Sequence, residues 1–169
     1  LECPVVNSEL SGDPNDPLFE KFYMIGSNGL ALDRQGRLVI ATWAGRSIER
    51  IEKDGKRTVL AERYEGKQFN GPNDLIVKKN GTIYFTDTFG GLRLREKDPR
   101  KGLEVQGVYM IKGAKVTRII DDIANPNGLA LSPDEKILYA NGSRDKFVRR
   151  YRVLPDDTVT DSQMFIDIS

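Results

Sequence analysis

Residues 73–87 read NDLIVKKNGTIYFTD, and the same pattern stands at 28–42 as NGLALDRQGRLVIAT and at 127–141 as NGLALSPDEKILYAN. The three align without a gap. Each opens on Asn, runs through a short apolar segment, crosses a polar turn and closes on a second apolar run, which is two strands joined by a hairpin. The starting asparagines lie 45 and then 54 residues apart, a spacing that suits a repeated all-β unit.

The segments that follow complete the unit. SIERIEKDGKRTVLA (47–61) is a second hairpin around an Asp-Gly turn, GVYMIKGAKVTRII (107–120) another around Lys-Gly-Ala-Lys, and FVRRYRVLPDDTVTDSQMFIDI (147–168) a third around Pro-Asp-Asp. Four short strands per unit with almost no helical periodicity predict an all-β chain, a β-propeller of four-stranded blades. The blades expected are about 27–62, 70–122 and 126–169, with 1–26 an N-terminal extension or the remnant of a first blade. A β-sandwich also uses many short strands, but its strands do not recur as a 45-residue unit. Propellers close with about 4–8 blades, so three visible blades read as part of a larger propeller. LRLREKDPRKGLEVQ (92–106), charged and poor in β-branched residues, is expected to be a loop inserted between the second and third strands of the middle blade.

Composition narrows the chemistry. The chain has no histidine, which excludes Ser-His-Asp and Cys-His nucleophilic sites and His-ligated zinc within it. The net charge of +1 gives no electrostatic case for nucleic acid. No apolar run approaches the ~20 residues that span a bilayer, so a soluble chain with no membrane partner and no readable address is expected. Cys3 is the single cysteine and forms no internal disulfide.

In a propeller the first strand of each blade lies closest to the axis, so Asn28, Asn73 and Asn127 should ring one mouth of the channel. Amide carbonyls are neutral, hard oxygen donors, and several converging on an axis suit a calcium-like cation. Asn before a strand is also a good turn residue, bonding its own backbone, and a repeat would propagate that role equally. A proline precedes Asn73 and Asn127 but not Asn28, which gives those two a stiffer presentation. Asp74 and Asp87 are expected to brace a turn and a strand end, Gly90-Gly91 to form a tight turn, Trp43 to be a core or rim aromatic, and Glu65 to be a solvated loop charge.

AERYEGKQFNGPNDLIVKKNGTIYFTD (61–87) and NPNGLALSPDEKILYAN (125–141) resemble the gluconolactonase and senescence-marker-protein-30 family of six-bladed propellers. The resemblance implies hydrolysis of a lactone, or in some relatives an organophosphate, with one divalent cation, often calcium, in the central channel. By motif, Asn127 in Pro-Asn-Gly corresponds to a metal ligand, and Asn73 in Pro-Asn-Asp to a ligand or substrate-contacting amide. Asn28 is assigned to substrate binding. Three departures stand out. The family's first-blade glutamate has only Glu2 in LECPVV as an echo, and Glu2 is too close to the next repeat. The aspartate that serves as ligand and general base, in a Pro-Asp-Gly segment, would fall beyond Ser169. Thr88 replaces the usual proline after Phe-Thr-Asp. The expectation is therefore a metal-dependent lactonase whose general-base carboxylate is not among these 169 residues, inactive by themselves and able to self-associate through bare blade flanks. A non-catalytic propeller binding module is the alternative, and a strictosidine-synthase-like propeller a weaker third.

Overall fold

The computed structural model describes residues 15–169, so Glu2 and Cys3 lie outside the described residues. The chain is all-β, with fourteen strands among those residues. β1 (Ser27–Leu32), β2 (Leu38–Thr42), β3 (Ser47–Ile51) and β4 (Arg57–Ala61) form the first antiparallel blade. After the two-residue strands β5 (Arg63–Tyr64) and β6 (Lys67–Gln68), β7 (Pro72–Val77), β8 (Ile83–Asp87), β9 (Gly107–Lys112) and β10 (Lys115–Ile120) form the second. β11 (Pro126–Leu131), β12 (Ile137–Gly142), β13 (Phe147–Val153) and β14 (Val159–Asp167) form the third. Each blade is a simple up-and-down meander, as hairpin connections dictate. β1 packs beside β7 and β7 beside β11, so the first strands stand together on the inner side. This is the propeller arrangement with three blades and an open ring.

Strand periodicity explains where the core sits. Successive side chains of a strand point to opposite faces. In the middle blade Ile83, Phe85, Tyr109 and Ile111 turn toward the first blade, where they meet Val39, Ala41 and Ile48. The residues between them, Tyr84, Val108 and Met110, turn toward the third blade and meet Leu138, Ala140 and Tyr151. β8 is buried along its whole length because both of its faces are covered. Burying one such aromatic or aliphatic side chain contributes about 1.5–3 kcal/mol, so the two seams hold the blades together. Phe69 and Phe85 meet edge to face at 5.0 Å between ring centroids, and Phe85 stacks on Tyr109 at 5.5 Å.

A polar clamp ties the second blade to the third. Asp157, in the turn before β14, is buried and accepts from Lys78 Nζ, Asn80 Nδ2 and Thr82 Oγ1 on the second blade. Lys112 Nζ lies 2.7 Å from the same carboxylate, and the Tyr84 hydroxyl donates to the Asp157 carbonyl. Against the cost of burial, these partners hold the Asp157 carboxyl well below the usual carboxylate range.

Residues 88–106 do form an insertion between β8 and β9, with short 3-10 turns at Phe89–Gly91 and Arg95–Lys97. Fully buried Asn70 pins it: its Nδ2 donates to the Leu103 carbonyl and its Oδ1 accepts from the Gly102 amide. The segment before β1 runs along this insertion, where Tyr23 N donates to Gly91 O and Arg93 N to Lys21 O. Among the described residues no helix is long and apolar enough to cross a membrane.

Candidate functional site

The inner strands are irregular at one place, and it is the same place in all three blades. Ser27 pairs with Thr42 and Leu30 with Ile40, so Asn28 and Gly29 on β1 face the single residue Ala41 on β2. Pro72 pairs with Asp87 and Leu75 with Phe85, which sets Asn73 and Asp74 against Thr86. Pro126 pairs with Gly142 and Leu129 with Ala140, which sets Asn127 and Gly128 against Asn141. Each is a β-bulge, with one extra residue on the inner strand. Bulges bend a strand and re-aim its side chains, and they gather beside active sites.

An extra residue brings an extra backbone N–H that the ladder does not pair. In the second blade Thr86 Oγ1 accepts it from Asp74 N at 3.0 Å, and in the third Asn141 Oδ1 accepts it from Gly128 N at 2.9 Å. The residue opposite each of these bulges thus supplies a side-chain oxygen to satisfy it. The Asp74 carboxylate does more than brace its own turn, because Oδ2 accepts from Leu129 N across the seam at 2.8 Å. Gly29 has the opposite task of staying out of the way: a Cβ there would come within 2.8 Å of backbone atoms of Asn73, Asp74 and Leu75. The first two blades meet there backbone to backbone.

Asn73 and Asn127 line one cavity of about 150 Å³ at this rim. Asn73 is buried, Asn127 half-buried and Asn28 exposed. Asn28 is joined to the group through its Nδ2, which donates to Asn73 Oδ1 at 2.7 Å. The wall from the middle blade is Thr88, Phe89 and Gly90. Thr88 caps this turn by accepting from Gly90 N at 3.0 Å. The Trp43 ring closes another side and rests on the Gly90-Gly91 pair, where a Cβ would sit 3.1–3.3 Å from the indole carbons. Asn125, Ser143, Arg95 and Arg144 complete the lining. Glu65 is exposed and takes no part in it.

The approach to Asn73 is held from both sides. Asp87 is fully buried and accepts from Asn70 N and Gly71 N, tying its strand end to backbone amides as the sequence suggests. Buried Arg46 donates through Nε to Phe69 O, one residue earlier. Burial pushes the Asp87 carboxyl up to about 7, while the two amides and the Arg46 charge pull the other way. Burial likewise lowers the Arg46 guanidinium.

The donor set decides what could bind. Asn73 and Asn127 supply hard neutral oxygens from adjacent blades, the ligand type a calcium-like cation prefers. They fit such an ion by kind. No group of three or more His, Cys, Asp or Glu able to hold a metal occurs among the described residues, and no carboxylate lines the cavity. Arg95, Arg144, Asn125 and Ser143 were not among the residues expected from the sequence. A signal existed for the rim position of Ser143 and Arg144 alone: each second strand runs back to the rim where its partner began, so the residues just past positions 42, 87 and 142 had to arrive beside the asparagines.

Residues 14–169 match the family model described as the SMP-30/gluconolactonase/LRE-like region. The gluconolactonase of Zymomonas mobilis subsp. mobilis is 37% identical over 120 residues, which are 70% of this chain and 34% of that protein. Protein strictosidine synthase-like 6 of Arabidopsis thaliana is 31% identical over 165 residues, 85% of this chain and 44% of that one. The solved gluconolactonase of Xanthomonas campestris superposes with a TM-score of 0.70 at 35% identity, covering 82% of this chain and 48% of that one. The chain thus spans between a third and a half of the length of these relatives.

Proposed function

The chain belongs to the SMP-30/gluconolactonase/LRE-like family, and from that premise we propose that the rim cavity binds the lactone in a metal-dependent lactone hydrolase. The observation that carries this reading is the placement of Asn73 and Asn127, at equivalent bulges of adjacent blades, on one cavity. These two amide oxygens would hold a divalent cation, calcium by the hardness of the donors. When bound, such an ion supplies Lewis-acid polarisation of the lactone carbonyl. Asn28 fixes the Asn73 amide by its hydrogen bond and, being exposed, remains able to meet a substrate hydroxyl. Trp43 offers an apolar wall to a sugar ring, and with Phe89 it limits water on that side. Activation of the attacking water falls, in this proposal, to a carboxylate outside residues 15–169, since none lines the cavity.

The test is acid release from glucono-1,5-lactone by a closed propeller that carries these three blades, and by the 169-residue chain alone. The closed propeller should hydrolyse the lactone, lose activity to a chelator and regain it with calcium, while the chain alone stays inactive. Chelator-insensitive hydrolysis would overturn the metal assignment. A closed propeller that binds calcium and sugar yet hydrolyses nothing would favour a non-catalytic binding module, the reading that the lack of a lining carboxylate supports.

A further inference from the structure

The cavity has a charge that its neutral amides do not explain. Two arginines are among the residues that line it, Arg95 from the insertion of the second blade and Arg144 from the turn between β12 and β13 of the third. They reach it from different blades, so their meeting is a product of the fold rather than of one basic run. Among the described residues no acidic residue lines the same space. The Arg95 side chain pairs with no carboxylate among the described residues; its guanidinium lies over the Tyr23 ring, 5.9 Å from the centroid. Stacking of that kind uses the flat face of the guanidinium and leaves the N–H groups at its edge for the paired oxygens of an anion. Arg144 has Glu96 at 3.8 Å, beyond hydrogen-bonding distance, with both side chains about half exposed. An exposed pair of that length is weak and readily exchanged.

We infer that the lactone taken here carries an anionic substituent, a carboxylate or a phosphate, and that Arg95 and Arg144 bind it. The inference rests on the cavity being the lactone site and adds the class of lactone. Both anions present the paired oxygens that a guanidinium fork recognises. A neutral sugar lactone would leave the two arginines of the lining without an anionic partner in the cavity.

Trp43 is the single tryptophan of the chain and lines the cavity, so its fluorescence reports occupancy directly. The 169-residue chain would be titrated with glucose, glucuronate and glucose 6-phosphate, at low and at physiological salt. One of the charged sugars should bind at least about tenfold more tightly than glucose, by charge-assisted hydrogen bonding, with the advantage shrinking as salt rises. The two charged arms tell a carboxylate from a phosphate. In Arg95→Gln/Arg144→Gln the advantage over glucose should fall to within about threefold. Equal binding of all three sugars, binding of none by a folded chain, or an advantage that survives in the double variant would overturn the inference. Arginine-dependent binding of a charged sugar without lactone hydrolysis by the closed propeller would instead overturn the lactone reading alone. Hydrolysis of glucono-1,5-lactone with no charged preference would do the reverse.

Discussion

Asn28 donates from Nδ2 to Oδ1 of Asn73 at 2.7 Å, a bond between equivalent positions of two neighbouring blades. Two copies of one repeat position therefore have different work: Asn73 is buried and lines the cavity, and Asn28 holds it while staying exposed. On the proposed reading, Asn127→Ala removes a direct cation ligand and should weaken calcium by about 100-fold or more. Asn28→Ala removes only a partner of a ligand and should cost about tenfold at most, with the larger effect on substrate KM or folding. Calcium titration by calorimetry separates the two, and equal losses at both positions would contradict this division.

Asp157→Ala should be among the most damaging single changes in the chain. It strands the Lys78 ammonium, whose side chain is 8% exposed, in the seam between the second and third blades. Removing one member of a buried ion pair costs about 3–5 kcal/mol. Denaturant unfolding measures the loss, and adding Lys78→Met to Asp157→Ala should restore part of it. A cost near zero would mean that the clamp contributes little to docking the third blade.

Asp87 gives a pH signature of definite sign. Its carboxyl is raised to about 7, so the native state holds the proton more tightly than the unfolded chain. The stability tied to that proton is complete below the ordinary carboxylate value of about 4 and is lost as pH rises through about 7. Wild type should therefore lose stability relative to Asp87→Asn across that window. Unfolding midpoints of both proteins at several pH values provide the check, and a pH-independent difference would count against the raised value.

Gly29→Ala places a methyl within 2.8 Å of three backbone atoms of the next blade, none of which can turn aside. Overpacking of this kind costs about 1–3 kcal/mol. Gly26→Ala, with nothing within 4 Å of the added carbon, is the matched control and should be close to neutral. Thermal unfolding of the pair tests whether the seam is as tight as the geometry says.

Each outer flank carries exposed apolar side chains. Leu32 is 66% exposed on the first blade, and Phe165 is 51% exposed on the last strand of the third. Repeat architectures need their end faces covered. The 169-residue chain by itself should self-associate and bind hydrophobic dye, and Leu32→Asp with Phe165→Asp should reduce both. A compact, dye-silent monomer in sedimentation would show that these flanks tolerate water.

Much of the fold was legible because the repeat carries its own punctuation. Asp-Gly at 54–55 and Asn-Gly at 80–81 mark hairpins, and the unbroken apolar run Ile83-Tyr84-Phe85 marks a strand with two covered faces. The candidate site was legible only in part. Asn73 and Asn127 stand out as repeated polar residues at strand starts, but a bulge is defined by the register of the partner strand, and three strands that share the same bulge align without a gap. Arg95 and Arg144 lie 49 residues apart by number, and nothing in either neighbourhood names the other. Only the meeting of two blades brings them to one cavity.

The extra residue on each inner strand resets the strand's parity. Without it, Asn28, Asn73 and Asn127 would stand level with Ala41, Thr86 and Asn141 on their second strands, and Ala41 faces the packed seam. The asparagines would then point wherever hydrophobic alternation sent them. With it, the mouth of the channel keeps its own frame, offset from that of the core. A substitution at the mouth can then change what the cavity recognises without altering the two-residue rhythm that packs the blades, whereas deleting a single residue such as Gly29 would turn Asn28 toward the seam and spare most of the sheet. Such a ring can be rewritten one blade at a time.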